Sequence, residues 1–196
     1  MRKHLALGAV LALGLGTQAF AADGLSYNLI EGGYVRGEVE LPGSNLDGDG
    51  FTIGGSLELG QNLFGFASVN SVDYDNTNLT SSLFNAGLGF NWALGPDVDL
   101  VSGVSWERIQ VKASGVSVSD DGIGLNVGLR GRFDQLELTG NVKYSDFGHH
   151  SNGFTLGASG RYYFTPAFAA GPDISHNDDG TNWGISFRYD FGYGRR

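Results

Sequence analysis

The chain has no cysteine, few basic residues and no long apolar run among its 196 residues. Without cysteine it can form no disulfide bond and perform no thiol chemistry. Its 12 lysines and arginines face 21 aspartates and glutamates, and the net charge of −9 argues against nucleic acid as a partner. No segment has the ~20 consecutive apolar residues that a membrane-spanning helix needs. These absences argue against thiol enzymes, nucleic-acid-binding proteins and helical membrane proteins.

The first 21 residues have the pattern of a signal peptide. Two basic residues precede an apolar run from Leu5 to Gly16, and Ala19-Phe-Ala21 provides the small residues of a signal peptidase site. We expect cleavage after Ala21, which assigns 1–21 to the signal peptide and 22–196 to one domain. Cleavage removes two basic residues and no acid, so 10 basic residues face 21 acidic ones and the net charge becomes −11.

Five stretches alternate between apolar and polar residues, which places the two sets on opposite faces of a β-strand. They are 51–59, 123–133, 136–145, 154–164 and 183–191. Weaker alternation predicts five further strands at 26–36, 63–72, 83–93, 98–111 and 167–175. The last of these contains Pro172, which cannot donate a hydrogen bond to a neighbouring strand.

The connections between these strands alternate in length. Short turns are predicted at 60–62, 94–97, 134–135 and 165–166, and longer polar loops at 37–50, 73–81, 112–121, 146–152 and 176–181. Short turns on one side and long loops on the other are typical of outer-membrane barrels, which have an even number of strands. We therefore predict an all-β, antiparallel up-and-down transmembrane barrel of ten strands, with eight as the alternative.

The orientation of each strand follows from the cost of placing charge in lipid. Arginine or lysine at the bilayer midplane costs about 2–4 kcal/mol, so the charged residues of the strands should face the lumen. A soluble barrel would reverse the two faces. The transmembrane interpretation is favoured because aromatic residues lie near strand ends, where they could form interfacial girdles. These residues are Trp92, Trp106, Tyr144, Tyr162, Phe164, Trp183 and Phe191.

Several short motifs resemble those of known outer-membrane proteins. They are Tyr27-Asn-Leu-Ile-Glu-Gly-Gly-Tyr34, Arg161-Tyr-Tyr-Phe-Thr-Pro166, Asn177-Asp-Asp-Gly180 and Arg188-Tyr-Asp-Phe191. With the signal peptide, they resemble the OmpA-like and OmpX-like transmembrane barrels. Within that class they are most similar to a quorum-regulated outer-membrane protein family of plant-associated bacteria. The resemblance implies a Gram-negative outer membrane. It also implies that the final strand, ending in an aromatic residue, is the signal read by the barrel assembly machinery.

Charged residues of both signs are predicted in the lumen, where we expect them to form salt bridges. The acids are Glu31, Glu58, Asp99, Glu107, Glu137 and Asp190, and the bases are Arg130, Arg132, Lys143, Arg161 and Arg188. None is singled out as a perturbed catalytic carboxylate.

Two polar segments could carry chemistry. His149-His-Ser-Asn152 resembles the nucleophile region of lipid A deacylases, with His149 as base and Ser151 as nucleophile, but no acid follows in 153–165. Asn45-Leu-Asp-Gly-Asp-Gly50 matches the first half of a calcium loop, yet its twelfth position is Ser56 rather than glutamate. We therefore assign no catalytic, cofactor-binding or metal-binding residue.

Three functions remain, in order of preference. The first is a non-enzymatic barrel whose acidic surface loops serve envelope integrity, surface contact or host recognition. The second is a narrow, porin-like passive channel, and the third is a lipid A-modifying enzyme. The expected partners are outer-membrane lipid, lipopolysaccharide and the barrel assembly machinery, and a monomer is expected.

Overall fold

The computed structural model describes residues 25–41, 44–75, 77–148 and 152–191. The signal peptide prediction lies outside these residues. The described chain forms ten strands and no helix. They are β1 (Leu29–Leu41), β2 (Ser44–Glu58), β3 (Leu63–Tyr74), β4 (Leu79–Ala93), β5 (Val98–Ala113), β6 (Val116–Phe133), β7 (Leu136–Asp146), β8 (Asn152–Tyr163), β9 (Phe168–Asn177) and β10 (Gly180–Asp190).

Each strand pairs antiparallel with its sequence neighbours, and β10 pairs with β1 to close the sheet. The closing seam runs from Leu29 opposite Asp190 to Val39 opposite Gly180. This confirms the ten-stranded, all-β up-and-down barrel, and the alternative of eight strands is wrong. In the described ranges, no helix is long and apolar enough to cross a membrane.

Pro172 does not prevent β9 from forming, but it marks a local interruption of the sheet. The pairing of β8 with β9 runs from Thr155 to Ser159 and resumes at Tyr162, so Gly160 and Arg161 are left out of the ladder. Proline lacks the N–H group that would bond across this gap. On its other side Pro172 lies opposite Ile185 of β10.

The main correction to the sequence prediction concerns the long loops. Most of their residues belong to strands, because the hairpins continue as paired β-structure: β1 pairs with β2 as far as Leu41 and Ser44, and β5 pairs with β6 as far as Ala113 and Val116. Ser114 and Gly115 make a two-residue turn with positive φ angles of 48° and 85°. Such turns match the twist of the paired strands, so the hairpin stays regular to its tip.

The strands are strongly inclined to the barrel axis. Stepping from partner to partner around the wall leads from Val39, near the tip of β1, to Glu58 at the opposite end of β2. An inclination of about 40° is usual for such barrels. It decides which residues of distant strands lie at the same height in the lumen.

Candidate functional site in the barrel lumen

The outer wall of the barrel is an apolar band. On β6 the outward residues from Ile123 to Phe133 include four large exposed apolar side chains besides Phe133. Ten residues at about 3.3 Å each, inclined by about 40°, span roughly 25 Å, which is the height of a lipid-facing band. The soluble-barrel alternative is therefore wrong, because it needs the apolar face inside.

Aromatic and charged residues mark the two edges of this band. At the hairpin end Trp106 and Trp183 are about half exposed, and at the turn end Trp92 and Phe164 are exposed as well. Above the first pair the outward positions become polar, as at Arg36 and Arg108. A closed barrel with this wall is the architecture of the Gram-negative outer membrane, and the protein is such a barrel. The projecting hairpin end faces the cell exterior, and the turn end faces the periplasm.

The periplasmic third of the lumen holds a network of buried charges, here called the ion network. Arg188 donates to Glu137 Oε1 at 2.7 Å and through Nε and Nη2 to Glu31 Oε2 at 3.1 Å. Arg130 forms a second ion pair with Glu137. The Glu31–Arg188 pair links β1 to β10, so the network holds the closing seam as well as filling the lumen.

Arg161 extends the ion network along β8 and β9. Its Nη2 lies 2.9 Å from Asp173 Oδ1 and 3.4 Å from Glu31 Oε2. The Tyr163 hydroxyl lies 3.0 Å from Glu137 Oε2 and 2.8 Å from Asp190 Oδ2. The three arginine side chains are no more than 1% exposed. Since buried charges are stable only when paired, each one fixes the position of its neighbours.

Beside the ion network, an apolar group closes the rest of the periplasmic end. It contains Leu25, Tyr27, Leu29, Phe64 and Val101, and we call it the periplasmic apolar cluster. Tyr27 stacks on Phe64 with ring centroids 4.7 Å apart. The segment before β1 therefore folds into the mouth of the barrel instead of leaving it open.

The middle of the lumen is polar but mostly uncharged, and we call it the polar layer. Its one ion pair among the described residues joins Lys143 Nζ to Glu107 Oε1 at 2.6 Å. Ser105 donates to the same carboxylate at 3.1 Å, and Asn85 donates to Ser68 at 2.9 Å. Most other inward positions at this height carry small residues, namely Gly33, Gly54, Gly87, Gly124, Gly157, Gly184, Ser145, Ser175 and Ser186.

The outer third of the lumen is apolar, which the sequence reading did not predict. Seven buried residues pack together there and form the outer apolar cluster. They are Val35, Val39, Val72, Tyr74, Leu83, Ile109 and Phe147, with Leu46, Leu79 and Val111 packed against them. Glycines let these side chains reach across the lumen. A Cβ at Gly48 would lie 2.8 Å from a Val72 methyl carbon, and one at Gly122 would lie 2.6 Å from the Phe147 ring.

Acidic residues lie on the outward surface of the hairpins formed by β1, β2 and β3. Asp49 lies opposite Asp73 on β2 and β3, a like-charge pair that needs compensation. Arg36 provides it at 3.3 Å from Asp49 and 3.5 Å from Asp47, and Thr80 donates to Asp73 at 2.6 Å. In the β9–β10 turn, burial and the charge of Asp178 raise the pKa of Asp179.

Most charged residues predicted for the lumen are there, with two exceptions. Glu58 is exposed at the periplasmic rim, where it binds the Asn28 side chain at 3.2 Å. Arg132 is half-buried, and its guanidinium lies 3.6 Å from the centre of the Tyr163 ring. A further charge in the lumen, Asp173, was not predicted, because it follows Pro172 in the weakest predicted strand. The other nine predicted charges are buried in the lumen.

The two segments considered for chemistry do not form a site among the described residues. His149, His150 and Ser151 lie outside them, so the deacylase interpretation stays a hypothesis. In the calcium-like segment, Asp47 and Asp49 are engaged by Arg36. Within the described ranges no three histidines or carboxylates come together as metal ligands.

An apolar groove of about 570 Å³ lies on the lipid-facing wall of β1–β4. The exposed residues Ile30, Ile53 and Leu57 line it, and Gly55, Gly65 and Ala67 form its small-residue floor. Because it opens into the bilayer, it belongs to the lipid contact surface and not to the lumen.

No known protein family matches the sequence, and no curated protein is detectably similar to it. Among solved structures, the chain is similar to Neisserial surface protein A (12% identity, TM-score 0.46, covering 85% of this chain and 98% of that one). It is also similar to the KdgM porin (13% identity, TM-score 0.45, covering 82% of this chain and 99% of that one). A third similar structure is Ail of Yersinia pestis (15% identity, TM-score 0.40, covering 84% of this chain and 97% of that one). None of these likenesses is strong enough to assign an activity, and the suggested link to a quorum-regulated family stays a prediction.

Proposed function

We propose that the protein is a non-enzymatic outer-membrane barrel, closed to solutes, whose acidic hairpins make contact at the cell surface and which supports envelope integrity. The observation that carries this proposal is the filled lumen. Barrels of about 8 strands are filled by their own side chains, and aqueous pores open at about 16 strands. With ten strands, this barrel closes its axis with side chains at both ends: the outer apolar cluster at one end, and the ion network with the periplasmic apolar cluster at the other.

The hairpins supply the contact surface. Beyond the apolar band, the outward face of β1–β3 carries Glu38, Asp47, Asp49 and Asp73 against Arg36. Such a surface fits a basic partner, or lipopolysaccharide bridged by divalent cations. We further propose that β10 and Phe191 present the assembly signal and that the barrel is a monomer.

The closed lumen can be tested by conductance. Refolded protein in planar bilayers at moderate salt should show no stable conductance steps, because the outer apolar cluster blocks one end of the axis and the ion network with the periplasmic apolar cluster blocks the other. A 16-stranded porin inserted under the same conditions provides the positive control. A well-defined open channel in the unmodified protein would replace this proposal with the passive-channel function.

Surface contact can be tested with charge-neutral hairpins. Proteoliposomes should adhere to polylysine-coated beads, and the variant Asp47→Asn/Asp73→Asn should bind several-fold less. The matched control Asp97→Asn/Asp134→Asn removes acids from the periplasmic turns and should retain binding on the hairpin side. In about 1 M salt, where the screening length falls to about 3 Å, adhesion should disappear. Salt-independent adhesion, or equal losses in both variants, would rule out the acidic hairpins as the contact surface.

A further inference from the structure

The polar layer contains buried side-chain nitrogen and oxygen atoms that have no hydrogen-bond partner among the described residues. They include both amide atoms of Asn70, Oδ1 of Asn85 and Oε2 of Glu107. Asn85 and Glu107 are paired across β4 and β5, and Asn70 lies one diagonal step away on β3. Asn126 adds one further such oxygen from β6. These side chains converge on one region of the lumen.

Buried polar groups in proteins are almost always hydrogen-bonded, either to protein or to internal water. A buried water needs two to four polar partners and a space about its own size. The polar layer offers the polar partners, and the other residues around these atoms are mostly glycine and serine, the smallest residues that can line such a space. Acceptors predominate among the unpaired atoms, and this favours an occupant that donates hydrogen bonds.

The outer apolar cluster lies directly above this region. Leu83 is two residues from Asn85 along β4, and Ile109 is two residues from Glu107 along β5. Leu83 and Ile109 are also paired with each other across the two strands. Apolar constrictions can close a passage by excluding water from a short length of it.

We propose that the polar layer is a water-filled chamber and that the outer apolar cluster is the gate that closes it to the cell exterior. The ion network and the periplasmic apolar cluster form its floor. This goes beyond the proposed contact function, since it assigns an internal compartment to the barrel. The gate is built from the lower parts of the hairpins that carry the contact surface.

The absence of cysteine makes a direct test possible. A single Asn85→Cys substitution places a thiol in the chamber, and its rate of modification by a small cationic methanethiosulfonate reports access from outside. In the otherwise unmodified barrel the reaction should be slow. Adding Leu83→Ala/Ile109→Ala should accelerate it at least about tenfold, because opening the gate no longer requires the cluster to come apart.

The chain offers a matched control on the same two strands. Leu88 and Val104 are paired in the same way but face lipid, so Leu88→Ala/Val104→Ala should leave the rate unchanged. Ser119→Cys on the exposed hairpin gives the rate of a freely accessible thiol. A folded barrel changes its electrophoretic mobility when the sample is boiled, and this shift confirms that each variant is folded. If the double variant fails to fold, Phe147→Ala is a milder gate variant.

Every outcome decides the proposal. Acceleration in the gate variants alone supports both the chamber and the gate. A fast reaction in all backgrounds would show that the outer apolar cluster closes nothing. A slow reaction in all backgrounds would show that no accessible water reaches Asn85 once the cluster is reduced, and it would overturn the chamber.

Discussion

At the scale of single residues, Glu137 has the central position in the lumen. It forms ion pairs with Arg130 and Arg188, and the Tyr163 hydroxyl lies beside it. Because two guanidinium groups depend on one carboxylate, its loss would leave buried positive charge uncompensated. Breaking a buried ion pair in this way is far more costly than losing a pair at the surface.

We expect Glu137→Gln to lower the free energy of unfolding by about 3 kcal/mol or more, because glutamine keeps the shape but not the charge. Urea unfolding from liposomes, followed by the fluorescence of the outward-facing tryptophans, measures this. Glu58→Gln, at the exposed periplasmic rim, is the control and should change stability by less than about 1 kcal/mol. Similar losses in the two variants would show that burial of the network contributes nothing.

At the scale of the strand, alternation decides what each residue faces. Val127 and Asn126 are neighbours on β6, yet Val127 is 49% exposed to lipid and Asn126 points into the polar layer. Both lie near mid-height. A single strand therefore offers an apolar and a polar environment one residue apart.

Val127→Arg should destabilise the barrel by about 2–4 kcal/mol or prevent its assembly, since it places a charge near the bilayer midplane. Asn126→Arg, which faces the polar layer, should cost considerably less. Yield of folded barrel and the urea midpoint in liposomes measure both. Equal penalties at 126 and 127 would mean that the two faces are wrongly assigned.

The strands themselves could be predicted because a period of two is a local signal. The hairpin extensions could not, since segments such as 44–50 consist of turn-forming residues that become strand only by pairing with β1 and β3. The division of the lumen into layers could not be predicted from the sequence either. Whether Leu83 and Ile109 lie at the height of Val39 depends on the inclination of all ten strands. No short stretch of sequence determines that inclination. The ion pairs of Glu137 depend on the same geometry.

At the scale of the whole molecule, closure between the first and last strands removes every free sheet edge. The seam is tight at Gly33, where an added Cβ would lie 2.8 Å from the Ser186 Cα. On β7, by contrast, a Cβ at Gly140 would meet nothing within 4 Å. A side chain at Gly33 would therefore interfere with the closure of the barrel, whereas a side chain at Gly140 would fit within a regular strand.

The closed barrel should resist detergent and shift its electrophoretic mobility on boiling, because it has no edge from which to unravel. Gly33→Val should abolish or strongly reduce the fraction that shifts, since the side chain would separate β1 from β10. Gly140→Val should keep that fraction close to that of the unmodified protein. Heated and unheated samples of both variants on one gel give the comparison, and a normal shift in Gly33→Val would argue against a tight seam.

The regular hairpins also limit how far the protein reaches from the cell. From Arg108 to the Ser114 turn, the β5–β6 hairpin rises about six residues beyond the apolar band, or roughly 15 Å along the barrel axis. Paired strands hold that height and cannot stretch as a loose loop could. The acidic residues on β1–β3 lie within this height above the bilayer. A cell whose surface sugars are short would expose them, and one that carries long sugar chains would bury them.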